Sequence, residues 1–528
     1  METNNKFSRW LIAIFSLSIT IALSACSTPI GNTSSPSVLR TTTLIKNALV
    51  VDGTGRPGFY ADVRFSKEKI LSIGKLKFSQ NDLVVDGSGF ILAPGFIDSH
   101  SHHDIGLDIA PEAKAAISQG ITTIVIGNDG SSSAPLSEIK KDLLNSPVAL
   151  NIASYTGHGF IRSKAMGEDY KREATPDEIN KMKMLLITDL ENGSLGLSTG
   201  LEYDPGIYSS KKEVIELAKS VSKFKGRYIS HMRSEDRAFA EALEELISIG
   251  KKADLPVQIS HIKLAAIDLW GQSSSVIKRL EEARSEGVDV TADVYPYTYW
   301  ESTLTVLLPE RDYYDLDAAR YALEKLAPAE GMTLSSYMPD PSLVGKNIAE
   351  IAIERKQSNE ETYLQLIRDA YDGLSAEEEA KLMELPESVI GVSMNETDIE
   401  NFIKWPHTNI CSDGASTGHP RGFGSFTRAI RKYVREKNII PIEEMIRKMT
   451  TLSAAHVGIE ERGEIKEGFA ADLVLFNLKT VSDRASIEQS DLVSDGIEGV
   501  WVNGTRVWNN KQTVGNLPGV FINRANLR

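Results

Sequence analysis

His100-Ser101-His102 closes a short apolar run, Pro94-Gly95-Phe96-Ile97-Asp98. Side chains two apart on a strand point the same way, so at the end of a strand two imidazoles can close on one metal ion. Alone, the pair is weak evidence, because HxH also occurs by chance on exposed strands. Three further segments share its design: Tyr228-Ile229-Ser230-His231, Val257-Gln258-Ile259-Ser260-His261 and Asn409-Ile410-Cys411-Ser412-Asp413. Each puts a metal-competent or proton-transferring residue just after a short β-branched run, where strands of a (β/α) barrel deliver their catalytic groups. The chemistry on offer is metal binding by imidazole with a carboxylate alongside to move protons.

Such a cluster needs a frame that brings distant strand ends together. From about Pro94 to about Gly458, strand-like runs alternate with helical ones, the pattern of parallel βα units, and eight barrel strands end near His102, Asp129, Ser154, Thr199, His231, His261, Tyr295 and Asp413. The interval between the last two is too long for one βα unit. Residues 304 to about 398 carry helical patterns at 316 to 326 and 360 to 371, so an insertion that could form a lid over the barrel mouth is expected there. Residues 43 to 93 and 459 to 528 read as short strands broken by turns. Neither end has enough strands for its own core; joined, they can form one small β-sandwich. The fold class expected is α/β: a TIM-like (β/α)8 barrel, a small β-sandwich from both chain ends, and a lid-like insertion.

The chain has 528 residues, 41% apolar and 25% charged, with a formal net charge of −14. That acidity argues against nucleic acid or an anionic membrane surface as the main partner. The N-terminus reads differently. Lys6 and Arg9 precede an apolar run at 10 to 23, short for a bilayer span and followed by Leu23-Ser24-Ala25-Cys26. That tetrapeptide resembles the lipobox of a bacterial lipoprotein, in which Cys26 carries the lipid after cleavage; the alternative is an ordinary secretory signal with a chance cysteine. Residues 27 to 42 then form a Ser/Thr/Pro-rich tether. With Cys26 acylated, Cys411 has no partner and no intrachain disulfide is available. The expected location is the bacterial cell envelope, lipid-anchored and facing the periplasm or exterior, with no other membrane attachment.

Beyond about residue 42, nearly the whole chain resembles one family. APGFIDSHSHHD, GITTIVIGNDG, GSLGLSTGLEYDPGIYSS, YISHMRSEDR, VQISHIK, DVYPYTYWEST and CSDGASTGHPRGFGSF, in this order, are similar to the D-aminoacylase (N-acyl-D-amino-acid deacylase) branch of the metal-dependent amidohydrolases. The resemblance implies Zn²⁺, one or two ions, with other divalent metals possible. His231 and His261 match the histidines of the tightly held zinc, and His100 and His102 match the pair at the second position. At Gly127-Asn128-Asp129-Gly130 the chain departs from the pattern, which often has cysteine where Asp129 stands. A carboxylate also binds zinc, and its two oxygens can serve one ion or bridge two. The competing reading is that Asp129 only forms a turn before Gly130.

Asp413 matches the family's catalytic aspartate. Amide hydrolysis needs an activated water, a polarised carbonyl and a proton for the departing nitrogen, which a metal ion and Asp413 together can supply. Lys263 shares the side of its strand end with His261, and Arg421 offers a planar fork for a carboxylate. Both match positions that hold the substrate's α-carboxylate, as do Tyr295 and Ser302; the chain is one residue longer between the latter two than the family pattern. His158 stands as either a substrate contact or a plain loop histidine, and His103, His407 and His456 carry no assignment.

The expected activity is metal-dependent hydrolysis of N-acyl-D-amino acids to a D-amino acid and a carboxylate, the D preference resting on the resemblance. One alternative is a cyclic-amide hydrolase of the dihydroorotase or hydantoinase kind. Against it, the fourth strand, Gly193-Ser194-Leu195-Gly196-Leu197-Ser198-Thr199-Gly200, offers no lysine to be carboxylated as a metal bridge. The other is a catalytically inactive, lipid-anchored binding protein, which would have no need of Asp413.

Overall fold

The computed structural model describes residues 41–372 and 386–524; Cys26 and nearly all of the tether lie outside them. Eight parallel strands carry the centre of the molecule. Phe96–Asp98, Ile121–Ile126 and Asn151–Ser154 pair in one arc. Thr156–Gly157, Gly196–Gly200, Arg227–His231, Val257–Ile259, Val290–Val294 and Thr408–Ile410 pair in the other. The third strand spans both arcs, interrupted at Tyr155. The ring closes between last strand and first: the Asp413 N–H donates to His100 O at 2.9 Å and the His102 N–H to Gly414 O at 3.0 Å. Asp98, buried at the same seam, accepts the Ser412 N–H at 2.8 Å. The strands end within a few residues of the positions expected from sequence.

A strand covered on both faces is buried along its whole length, and Ile121–Ile126, β-branched throughout, is buried at every residue. Inside the ring Ile97, Val125, Ala153 and Ile229, from four strands, pack into one cluster with Leu195, which immediately precedes a fifth, so the barrel is a filled core with its working surface at the strand ends. The outer helices bury one stripe each. In Phe239–Ala253, residues Phe239, Ala242, Leu243, Leu246, Ile247 and Gly250 recur at helical spacing, each large one contributing about 1.5–3 kcal/mol. Pro176–Glu191 begins where its sequence says it must: Thr175 and Glu178 form a reciprocal cap and Pro176 takes the first turn.

Both chain ends join in one nine-stranded sheet, with Leu473–Phe476 lying antiparallel to Ile91–Pro94. Residues of both ends share its core, and Phe65 meets Trp501 edge-on at 6.0 Å. The sheet is fixed below the barrel through Asn151, which donates to Asp472 at 3.2 Å and accepts from Asn503 at 2.8 Å.

The insertion has its own antiparallel sheet: Tyr299–Ser302, Glu387–Val392 and Met332–Tyr337. Tyr299 pairs with Val392, so the excursion starts upstream of residue 304, and helix Glu396–Lys404, packed on helix Ser273–Ser285, already belongs to the barrel's outer ring. The insertion is pinned to the mouth loops. Arg311 donates to Glu202 O at 3.0 Å, Arg237 to Leu307 O at 3.1 Å, and the His419 N–H to Glu301 at 2.9 Å.

Candidate metal centre

Five of the eight strand ends deliver polar groups to the same point, the first strand two of them. His231 is the last residue of its strand; His100, His102, Asp129, His261 and Asp413 follow theirs by two to four residues. Three of these residues sit in left-handed backbone, Asp129 at φ 52°, His261 at φ 35° and Asp413 at φ 49°. For non-glycine residues that conformation costs free energy and gathers at functional sites, where the surroundings hold it in place.

Asp129 is the hub. Its Oδ2 lies 2.9 Å from His100 Nε2 and 3.2 Å from His102 Nε2. Its Oδ1 faces the other way, 3.4 Å from His261 Nε2, and His261 Nε2 lies 3.1 Å from His231 Nδ1. Asp413 Oδ1 completes the first side, 3.4 Å from His100 Nε2 and 3.3 Å from His102 Nε2. Two donor sets, His100/His102/Asp129/Asp413 and Asp129/His231/His261, share Asp129, and a third, Glu202/His231/Glu235, adjoins the second through His231.

The spacing fits a small divalent cation. Nitrogen and oxygen ligands about 2.0–2.1 Å from a tetrahedral zinc stand roughly 3.3 Å from one another; the closest contacts here run from 2.9 to 3.4 Å, and the atoms of each set all lie within 4.8 Å of one another. Asp129 Oδ1 is buried without a hydrogen-bond partner, an orphan that a cation would satisfy. The charges agree. Burial opposes a charge on His102, yet hydrogen bonds to Asp129 and Asp413 raise its pKa to about 10; His261 is likewise raised to about 10 against burial and the nearby Lys263 by Glu235, Asp413 and Asp129. Burial would push Asp413 up, but the Arg421 guanidinium and the imidazoles of His261 and His100 hold it well below the usual carboxylate range. The cluster attracts positive charge.

The expected substrate groups stand around it. Arg421 Nη1 meets Asp413 Oδ2 at 2.6 Å, while its Nε is buried with no partner, leaving donor capacity for an incoming carboxylate. Tyr295 lies under that guanidinium, 4.9 Å from ring centre to charge, and 6.5 Å from the His261 ring. Lys263 is drawn in but occupied, its Nζ 2.6 Å from Glu235 Oε2. Ser302 lies on the insertion's first strand, near Tyr203, whose ring lies 4.4 Å from that of His231. His158 lies elsewhere, buried with its Nε2 2.8 Å from Glu213, which also pairs with Arg162. His103, His407 and His456 join none of these donor sets.

Sequence reasoning missed three carboxylates. Glu202 lies 2.9 Å from His231 Nε2, Glu235 lies between His261 and Lys263, and Asp293 accepts the His261 backbone N–H at 2.6 Å. Asp293 had a signal: an acid inside the buried strand Val290–Val294 needs local partners. Glu202 and Glu235 sit in loops among other acids, where nothing in the spacing marks them.

Comparison with known proteins agrees with this architecture. A model of the amidohydrolase family matches residues 83–327 and 407–508. D-aminoacylase of Alcaligenes xylosoxydans xylosoxydans is 32% identical over 509 residues, covering 91% of this chain and 97% of that one. A crystal structure of D-aminoacylase superposes with a TM-score of 0.80 at 32% identity, covering 91% of this chain and 99% of the other. That of N-acyl-D-glutamate deacylase from Bordetella bronchiseptica, complexed with zinc and a phosphonate mimic of the tetrahedral intermediate, does so at 0.81 and 30%, covering 92% and 100%. The chain belongs to the metal-dependent amidohydrolases, in the branch formed by the D-aminoacylases and N-acyl-D-amino-acid deacylases.

Proposed function

We propose that this chain hydrolyses N-acyl-D-amino acids, releasing the free D-amino acid and a carboxylate, with zinc held by His100, His102, Asp129, His231 and His261. The observation that carries the reading is Asp129, whose two oxygens face two histidine pairs while Asp413 and Arg421 stand beside them. Zinc there would polarise the acyl oxygen and acidify the attacking water. Asp413 then takes the water's proton as the new C–O bond forms and returns it to the nitrogen as the C–N bond breaks, so the two products leave with atoms balanced. Arg421, backed by Tyr295, holds the α-carboxylate together with Lys263 and Ser302. The handedness follows the chain's kinship with D-amino-acid deacylases.

The finer address is part of the proposal: Cys26 is lipidated, the chain is anchored in the bacterial envelope, and its catalytic body faces the periplasm or exterior. The basic start, the apolar run and Leu23-Ser24-Ala25-Cys26 support it. No helix among the described residues is long and apolar enough to cross a membrane.

A release assay across N-acetyl D- and L-amino acids and cyclic amides, run beside metal analysis of the purified chain, tests the activity. Release from D substrates by a zinc-containing protein is expected. Ring opening alone would transfer the chain to the cyclic-amide hydrolases, and bound metal without turnover would make it a binding protein.

A further inference from the structure

We propose that Glu202 and Glu235 are positioning residues of the metal centre, which decide which nitrogen of His231 and of His261 keeps a lone pair. The proposal rests on the reading of these histidines as zinc ligands.

A neutral imidazole carries one hydrogen, and only the bare nitrogen can hold a cation. Glu202 Oε2 lies 2.9 Å from His231 Nε2. A carboxylate oxygen accepts, so His231 keeps its hydrogen on Nε2 and turns a lone pair on Nδ1 toward His261.

His261 is the harder case, because two groups compete for its Nδ1. Lys263 Nζ lies 2.6 Å away and Glu235 Oε1 lies 3.0 Å away. An ammonium only donates. Were Lys263 to donate to Nδ1, the hydrogen of His261 would sit on Nε2, aimed at Asp129, and the ring would be lost as a ligand. Glu235 prevents this with its two oxygens: Oε2 takes the Lys263 ammonium at 2.6 Å, and Oε1, which has no other hydrogen-bond partner, is left for the Nδ1–H. With both hydrogens so placed, His231 Nδ1 and His261 Nε2 turn toward each other 3.1 Å apart, where a cation would take the place of the proton that otherwise bridges the two rings. Glu235 thus makes a lysine compatible with a neighbouring metal ligand.

The test is zinc affinity, measured by chelator competition on the full chain, with thermal unfolding of the metal-free protein as the check on folding. Partners of this kind typically affect metal affinity by 10- to 100-fold, so Glu202→Gln and Glu235→Gln should each bind zinc about that much more weakly, with the metal-free melting temperature little changed. The glutamine at 235 can accept from Lys263 but then donates to Nδ1, which fixes the wrong tautomer. Adding Lys263→Met removes the competing donor, so the double variant should recover zinc affinity even though substrate binding stays poor. Wild-type zinc affinity in both single variants, or a double variant no tighter than Glu235→Gln, would overturn the proposal. Failure of the underlying reading looks different, because the unmodified chain would then itself bind no zinc.

Discussion

Arg421 and Asp413 are joined by a 2.6 Å ion pair in which both side chains are buried, and the guanidinium lies over Tyr295. In the proposed reaction this one cation would serve two carboxylates in turn, the aspartate at rest and the α-carboxylate when substrate is bound. Hydrogen bonds to charged groups contribute about 1.5–3 kcal/mol, so Arg421→Ala should lower kcat/KM roughly 10- to 150-fold on an N-acyl amino acid. The same variant should lose much less on a substrate whose carboxylate is converted to an amide. Equal losses on both would show that Arg421 acts only on Asp413.

Asp413→Asn keeps the shape of the side chain and removes its basic oxygen. Zinc content should stay near that of the unmodified protein while kcat falls by about 10²–10⁴, the usual share of general acid and base catalysis. If metal is lost with the activity, Asp413 is a ligand first; if kcat is unchanged, the proton path proposed here is wrong.

Asp129→Ala should lose metal and activity together, whereas Asp129→Cys should hold zinc through a thiolate. Because Asp129 sits at φ 52°, an alanine also strains the backbone, and Asp129→Asn, which tolerates that conformation, separates charge from strain. Full metal occupancy in Asp129→Asn and Asp129→Ala would reduce Asp129 to a turn former.

The ligand candidates were legible because strands advertise themselves by β-branched runs, and a histidine or aspartate just after such a run stands out, as His231, His261 and Asp413 do. The join of the two chain ends was legible because neither could bury a core alone. Other features depend on long-range pairing that spacing does not encode. The insertion's first strand, Tyr299–Ser302, is defined by partners some ninety residues away at Val389–Val392. Glu202 and Glu235 became visible only when the folded chain placed them against His231 and His261. His158 was ambiguous in sequence, and the buried Glu213 and Arg162 beside it account for its place.

Cys26→Ala should abolish lipid attachment and normal processing while leaving the catalytic body active, since residues 27 to 42 separate the two. Labelling cells with radioactive fatty acid decides the matter. Label on the unmodified protein that vanishes in the variant is expected, and label that persists would place the lipid elsewhere or nowhere near this cysteine.

Glu387 supplies a pH dependence away from the metal. It opens the middle strand of the insertion's sheet, fully buried, with both carboxyl oxygens 2.9 Å from the Leu304 N–H and one 3.2 Å from the Tyr371 hydroxyl. No cation is paired with it among the described residues, and burial raises its pKa to about 7, only partly offset by those hydrogen bonds. In the unfolded chain a glutamate titrates near 4.3. Between roughly 4.3 and 7 the folded state thus binds more protons than the unfolded one, so this contribution to stability is fully present below that window and is lost as pH rises through it. By linkage the loss reaches roughly 4 kcal/mol, felt first as loosening of the insertion. Glu387→Gln carries no titrating proton and should flatten this slope. Hydrogen exchange of amides in Met332–Tyr337 and Glu387–Val392, followed from pH 5 to 8 after correction for intrinsic exchange, should quicken in the unmodified chain and not in the variant. An identical pH response in both would show that Glu387 is not the group responsible.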